Sequence, residues 1–484
     1  MKTRHDPSLT ERLRASGAAF LPILALAGLA FSGCMHGAGE EGGGADAPLS
    51  QTLYAAQENS LVSFDLATGK QLPGRITDVK SPADMQALED GTLLVNLSAS
   101  NEILAVDGRT MLLKARIPSS GTTGVKPVHS FITPEAAGKR YWVTLNDGSG
   151  TAASNSARFL DLDPDPARFL KPAGEIGLGI GHHKAAFSPG KARVVISNIG
   201  DCGDILSVFD FSYIGNIAKV AQLDAAGAGF DGSDRRHTCD QRDAAVATGI
   251  KPSPHGCATA KENAHALCNM TGNGVLVAVD LDAAVPAFKL IPTSGSGAGY
   301  TAAHPGGRYV YSLQSAPREG GAGAPCQLGQ VAVVDMRNDS LVKELPLFYA
   351  GPDCKAPLNG TLAEGVSASH TLFSPDGSKA FINVAASADT GSSVDKHLVL
   401  DVSDPADPRQ LPSIGIGASY GSHGEALTGD GKFLIVANNR AGTVSVIDVA
   451  TAAVAGTFAI GNAGKTMATF GTAEGPGHQT GPFH

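Results

Sequence analysis

The chain of 484 residues holds 37 Lys and Arg against 46 Asp and Glu, a formal net charge of -9 that lacks the basic footprint a nucleic-acid partner needs. Its 60 Gly and 28 Pro, with only 17% charged residues, argue against long amphipathic helices and for short strands separated by turns. Length alone would allow two or three domains, but large all-β architectures run long as one unit.

Lys2, Arg4, Arg12 and Arg14 precede an apolar stretch over 18–31, the layout of a secretory signal, and that stretch is too short for a comfortable membrane span. Bacterial lipoprotein processing cuts before a Cys that follows small residues and acylates its thiol. Leu29-Ala30-Phe31-Ser32-Gly33-Cys34 resembles such a site, with Phe31 where Leu is commoner. The expected organisation is a lipoprotein signal peptide over 1–33, lipidated Cys34 with a flexible tether over 34–50, a folded body over 51–471 and a flexible tail over 472–484. Such a chain would face the periplasm from the bacterial cell envelope, anchored to membrane by its N-terminal lipid. A plain signal peptide with an incidental Cys is the other reading.

The body repeats itself. Its clearest unit runs from Ser422-His423-Gly424 through an Asp430-Gly431 turn into Phe433-Leu434-Ile435-Val436, then Arg440-Ala441-Gly442, then Thr443-Val444-Ser445-Val446-Ile447-Asp448. That is strand, turn, strand, Gly-containing turn, strand. Related units open near His129, His183, His255, Tyr300 and His370 and close near Asp161, Asp210, Asp280, Asp335 and Asp401, with a degenerate copy over 85–107. The first strands, over 53–56 and 61–65, lack an opening strand, which residues 465–470 would supply. The pattern predicts an all-β chain folded as a single β-propeller of eight blades, or seven if the degenerate copy is not a blade. Its N- and C-terminal strands share one blade, which hides both sheet edges.

Beyond Cys34, six cysteines remain, Cys202, Cys239, Cys257, Cys268, Cys326 and Cys354, and an even number in an exported chain points to disulfides. Many pairings are open; closeness in sequence favours Cys257 with Cys268, Cys326 with Cys354 and Cys202 with Cys239. No CxxC spacing occurs, which argues against a thiolate metal site.

His129, His183, His255, His370 and His423 each stand a few residues before the first turn of a unit. In a propeller that position begins the innermost strand, so these side chains would converge at one mouth of the channel. A ring of imidazoles suits zinc, with copper as the alternative, and three or four ligands suffice. A structural role at the turn, with each ring bonded to backbone, is the competing reading of the same five. His182 would point the other way along its strand. His304 falls in a turn, His265 on a later strand, His237 and His397 in loops, and His478 and His484 in the tail. Asp147, in Asn146-Asp147-Gly148, could place a carboxylate near His129, although Asp-Gly is first a turn signal.

The turn Ser374-Pro375-Asp376-Gly377 and the strand Thr443-Val444-Ser445-Val446-Ile447-Asp448 resemble the YVTN or YncE-like propellers, a likeness that bears on fold more than function. Four stretches resemble the AztD-type periplasmic zinc metallochaperones: Lys126-Pro127-Val128-His129, Gly181-His182-His183, the segment from His255-Gly256-Cys257 to Cys268, and the unit from His423. That resemblance implies a propeller that passes zinc to the solute-binding protein of an importer. The family's His-rich acidic loop has no counterpart here, since 101–123 contains no His.

The sequence thus predicts a monomeric exported lipoprotein that binds a divalent metal through these histidines for storage or delivery. The alternative is a non-enzymatic interaction scaffold of the envelope. No nucleophile-and-base pair or phosphate loop stands out, and the expectation is that the chain is not an enzyme.

Overall fold

The computed structural model describes residues 52–461 apart from 58, 137, 182, 202, 230–253, 271–273, 296–299, 315–325, 350–365, 387–393, 420–424 and 439. These residues form eight antiparallel sheets, seven of four strands and one of three. Seven sheets follow the same inner-to-outer order as the sequence. Blade 2 comprises Pro82–Ala87, Thr92–Leu97, Glu102–Asp107 and Leu112–Pro118. Blade 3 comprises Pro127–Ile132, Tyr141–Asn146, Ser156–Asp161 and Pro172–Gly177. Blade 4 comprises His183–Phe187, Arg193–Asn198, Leu206–Asp210 and Ala218–Leu223. The inner strands of blades 5 to 8 are Pro254–Thr259, Thr301–Ala303, Val366–Phe373 and Glu425–Leu427. Blade 1 has Thr52–Gln57, Ser60–Asp65 and the short Ile76–Thr77. Its expected fourth strand, over 465–470, lies outside the described residues.

One device sets the phase of the repeat. The third strand of each complete blade ends in Asp, and its carboxylate accepts a backbone N–H two or three residues on: Asp107, Asp161, Asp210, Asp280, Asp335, Asp401 and Asp448 all do so. Asp65 of blade 1 bonds Thr68 in the same way, so Ser60–Asp65 is a third strand and Thr52–Gln57 a second. A short acceptor side chain that satisfies the turn's own donors is why Asp recurs at that place. A second device joins inner to second strands. Gly91, Gly307, Gly377 and Gly431 each return an N–H to a carbonyl three residues back, with φ of 84°, 82°, 69° and 66°. An L side chain rarely adopts that conformation.

The core lies between blades. Eight separate apolar clusters fill the eight blade-to-blade interfaces, for instance Leu94, Ile103, Trp142 and Leu160 between blades 2 and 3. The last joins Ile435, Val444 and Val446 of blade 8 to Leu53, Val62 and Phe64 of blade 1, with Phe64 and Phe458 rings 5.9 Å apart. Burying each such side chain contributes roughly 1.5–3 kcal/mol, so face-to-face packing closes the ring.

Candidate functional site on the propeller axis

The inner strands carry irregularities at matching places. Their pairing to the second strand shifts register between Pro82 and Asp84, Pro127 and His129, Pro254 and Gly256, and Ala368 and Thr371. A bulge re-aims the side chains beside it. The residues so placed are Asp84, His129, His255 and the pair Ser369-His370.

Lys184 and Tyr300 are the centre of the arrangement. The Lys184 amine, from blade 4, sits 4.3 Å from the centroid of the Tyr300 ring at the entry to blade 6. His370 of blade 7 stacks on that ring at 3.8 Å between centroids, and His255 of blade 5 touches it at 4.5 Å, with its Nε2 3.4 Å from the phenol oxygen. On the far side, Asp84 of blade 2 accepts hydrogen bonds from the backbone N–H of Ser130 at 2.7 Å and from its hydroxyl at 2.8 Å. Gln86 donates to the Ser130 carbonyl at 2.6 Å.

Burial governs the charges. Asp84 is 0% exposed and Lys184 7% exposed. Desolvation pushes the Asp84 carboxyl up, against the pull of the Ser130 donors, and pushes the Lys184 amine down, against the attraction of Asp84 and Asp147. The Tyr300 phenol is raised, first by burial and then by the Asp147 charge. Lys184 feels both carboxylates yet makes no ion pair among the described residues, so the site holds a buried amine of weakened basicity facing groups from blades 2, 3 and 6.

Of the five expected imidazoles, His129, His183, His255 and His370 do lie on inner strands, and His423 lies outside the described residues. His183 has both ring nitrogens engaged, Nδ1 with Asp147 at 3.1 Å and Nε2 with the Gly179 carbonyl at 2.9 Å. Both partners are oxygens, so a metal could take a His183 nitrogen only by displacing one of these contacts. Asp147 thus meets His183. His370 Nδ1 lies 2.8 Å from the Ser369 hydroxyl. Among the described residues no three His, Cys, Asp or Glu side chains form a group that could hold a metal ion.

His304 bonds the Gly377 carbonyl at 2.9 Å, and His265 pairs with Asp339 at 2.8 Å. His397 is a correction. It lies within the strand Val394–Asp401, 0% exposed, with Nε2 2.7 Å from the buried Glu425 of blade 8. His182 and His237 are outside the described residues, as are His478 and His484. Sequence reasoning passed over Asp84, Lys184 and Glu425. Each is a charged residue on an inner strand, and Lys184 in His183-Lys184-Ala185-Ala186-Phe187 was the most visible of the three.

Cys257 and Cys268 face each other across the first two strands of blade 5, with sulfurs at the bonded distance of 2.04 Å. Cys34, Cys202, Cys239 and Cys354, and the side chain of Cys326, lie outside the described residues.

The chain is an eight-bladed β-propeller with a buried polar site about its axis. No protein-family description matches it, and no curated protein matches it in sequence. Similar solved structures include dihydro-heme d1 dehydrogenase NirN in complex with DHE, at 12% identity over 85% of this chain and 74% of that one, with a TM-score of 0.54. The periplasmic gluconolactonase PpgL of Pseudomonas aeruginosa is 14% identical over 88% and 98% of the two chains, with a TM-score of 0.49. Apo AztD from Citrobacter koseri is 14% identical over 75% and 94%, with a TM-score of 0.38. At such identities the likeness is one of fold. It also overturns the expectation that the chain is not an enzyme: a protein named as a dehydrogenase has a similar fold, so the architecture gives no ground for excluding catalysis.

Proposed function

We propose that this is an exported propeller, facing the periplasm from the cell envelope, whose working site is the axial cluster around Lys184 and Tyr300 and whose ligand is a small molecule. The observation that carries this reading is the buried Lys184 amine, held 4.3 Å from the Tyr300 ring with no ion pair among the described residues. Charge is costly to bury, and perturbed titratable groups gathered in one place are a mark of binding and catalytic sites. Burial shifts the Asp84 carboxyl up and the Lys184 amine down, toward one another, so the site brings together both halves of acid–base chemistry. The test is a thermal-shift screen of small polar metabolites on the full chain and on Lys184→Met. Compounds that raise the melting temperature of the parent and not of the variant support the site; equal responses in both refute it.

A second reading is zinc storage or delivery, with copper as the alternative metal. It is favoured by His255 and His370 lying one aromatic ring apart on the inner strands of blades 5 and 7. The ligands would be His255, His370, His129 and His423, with an importer's solute-binding protein as recipient. His183 is left out, because Asp147 and Gly179 occupy its nitrogens. Metal content of the protein lacking residues 1–34, after zinc exposure and desalting, decides it. Retained zinc that is lost in His255→Ala/His370→Ala supports the reading; no retained metal in folded protein refutes it.

A further inference from the structure

We propose that Lys184 is the attachment point for a small aldehyde or ketone, which it holds as an imine on the propeller axis. This rests on the axial small-molecule reading and names its ligand class. Lys184 is the single Lys on the described inner strands. Its side chain is buried and projects from blade 4 to the ring of Tyr300, past the intervening blade 5. Lys114, Lys219 and Lys343 of the outer strands each pair with a carboxylate. Lys184 instead has an aromatic face beside its amine, with the carboxylates of Asp84 and Asp147 acting on it from beyond ion-pair contact. An ammonium buried in that way is disfavoured against the free amine, and the free amine is the nucleophile.

The chemistry balances without an oxidant or reductant. The lone pair on Nζ attacks the carbonyl carbon, a C–N bond forms, and the carbonyl π pair moves to oxygen, which takes up a proton as nitrogen releases one. The carbinolamine then loses its oxygen as water while the C=N bond forms. Groups that could move these protons surround the amine: the buried carboxyl of Asp84, the phenol of Tyr300, and Asp147 with its partner His183. His255 and His370 pack on Tyr300 and add two more titratable groups to the cluster.

The experiment treats the full chain with glyceraldehyde and cyanoborohydride near neutral pH, then maps the reduced adducts by peptide mass spectrometry. Lys184 is expected to carry the adduct at least about tenfold more than Lys114 or Lys343, because each unit of lowered amine pKa raises the free-amine fraction about tenfold. The preference is expected to vanish in urea-unfolded chain. An unmodified Lys184 beside labelled surface lysines overturns the imine. Glycerol, which lacks the carbonyl, separates this failure from failure of the axial site. If glycerol stabilises the parent and not Lys184→Met while Lys184 stays unlabelled, the axial binding site stands and the imine falls.

Discussion

Lys184 and Tyr300 meet across the channel with a 4.3 Å separation between amine and ring centroid, although a whole blade lies between the two that carry them. The contact ties inner strands that share no backbone hydrogen bond. Tyr300→Phe keeps the aromatic face and is expected to change stability by less than about 1 kcal/mol, whereas Tyr300→Leu is expected to lose about 1–2 kcal/mol. Urea unfolding of the two variants beside the parent checks the difference.

The Lys184 amine gives stability a pH dependence whose sign is fixed. Its folded pKa lies below the ordinary 10.5 because of burial, so its contribution is fully present above that value and is lost as pH falls through the folded one. Stability of the parent is therefore expected to rise on the alkaline side of neutrality, up to 10.5, more steeply than that of Lys184→Met. Denaturant midpoints followed over that range read the slope.

Asp335 acts with the same sign, but in the acid range. The Arg308 guanidinium beside it, its Nε 3.0 Å away, holds the carboxyl below its ordinary 3.8, helped by the Arg337 N–H. The stability it supplies is present above 3.8 and is lost as pH falls through the folded value. Asp335→Asn is expected to be less stable than the parent near neutrality, with the gap closing as the protein is acidified below the ordinary 3.8. Parallel urea titrations measure the closing gap.

Gly256 of blade 5 packs against the backbone at the entry to blade 6, beside the site. A Cβ there would lie 2.8 Å from the Thr301 nitrogen and 2.9 Å from Tyr300 Cα, both backbone atoms that cannot swing aside. Gly256→Ala is expected to cost about 1–3 kcal/mol and to displace Tyr300. Tyrosine fluorescence and the unfolding midpoint should change together.

His397 and Glu425 form a fully buried pair between blades 7 and 8, and burial pushes the Glu425 carboxyl up. His397→Ala strips Glu425 of this partner and is expected to cost about 3–5 kcal/mol. The double change His397→Leu/Glu425→Leu is expected to be more stable than the single one, because no charge is left buried. A double-mutant cycle on thermal melting tests the ordering.

The repeat was legible in the sequence because its determinants are local. An Asp at the end of each third strand satisfies its own turn, and a Gly in the first turns of blades 2, 6, 7 and 8 takes a conformation other residues avoid, so both recur at fixed offsets and the blade count follows. Placing His129, His183, His255 and His370 on inner strands needed nothing more. What those strands build was not legible. Which groups meet across the channel depends on bulges at Asp84, His129, His255 and His370 and on the rotation from blade to blade, neither of which has a spacing in the chain. His183 looked like the other imidazoles until Asp147 and Gly179 were found on its nitrogens. Lys184 looked like an ordinary strand residue until the fold buried its amine near two carboxylates and an aromatic ring drawn from three other blades. Local turn chemistry wrote the scaffold into the sequence; the charge and chemistry of the site come from desolvation and long-range proximity, which exist only once the ring is closed.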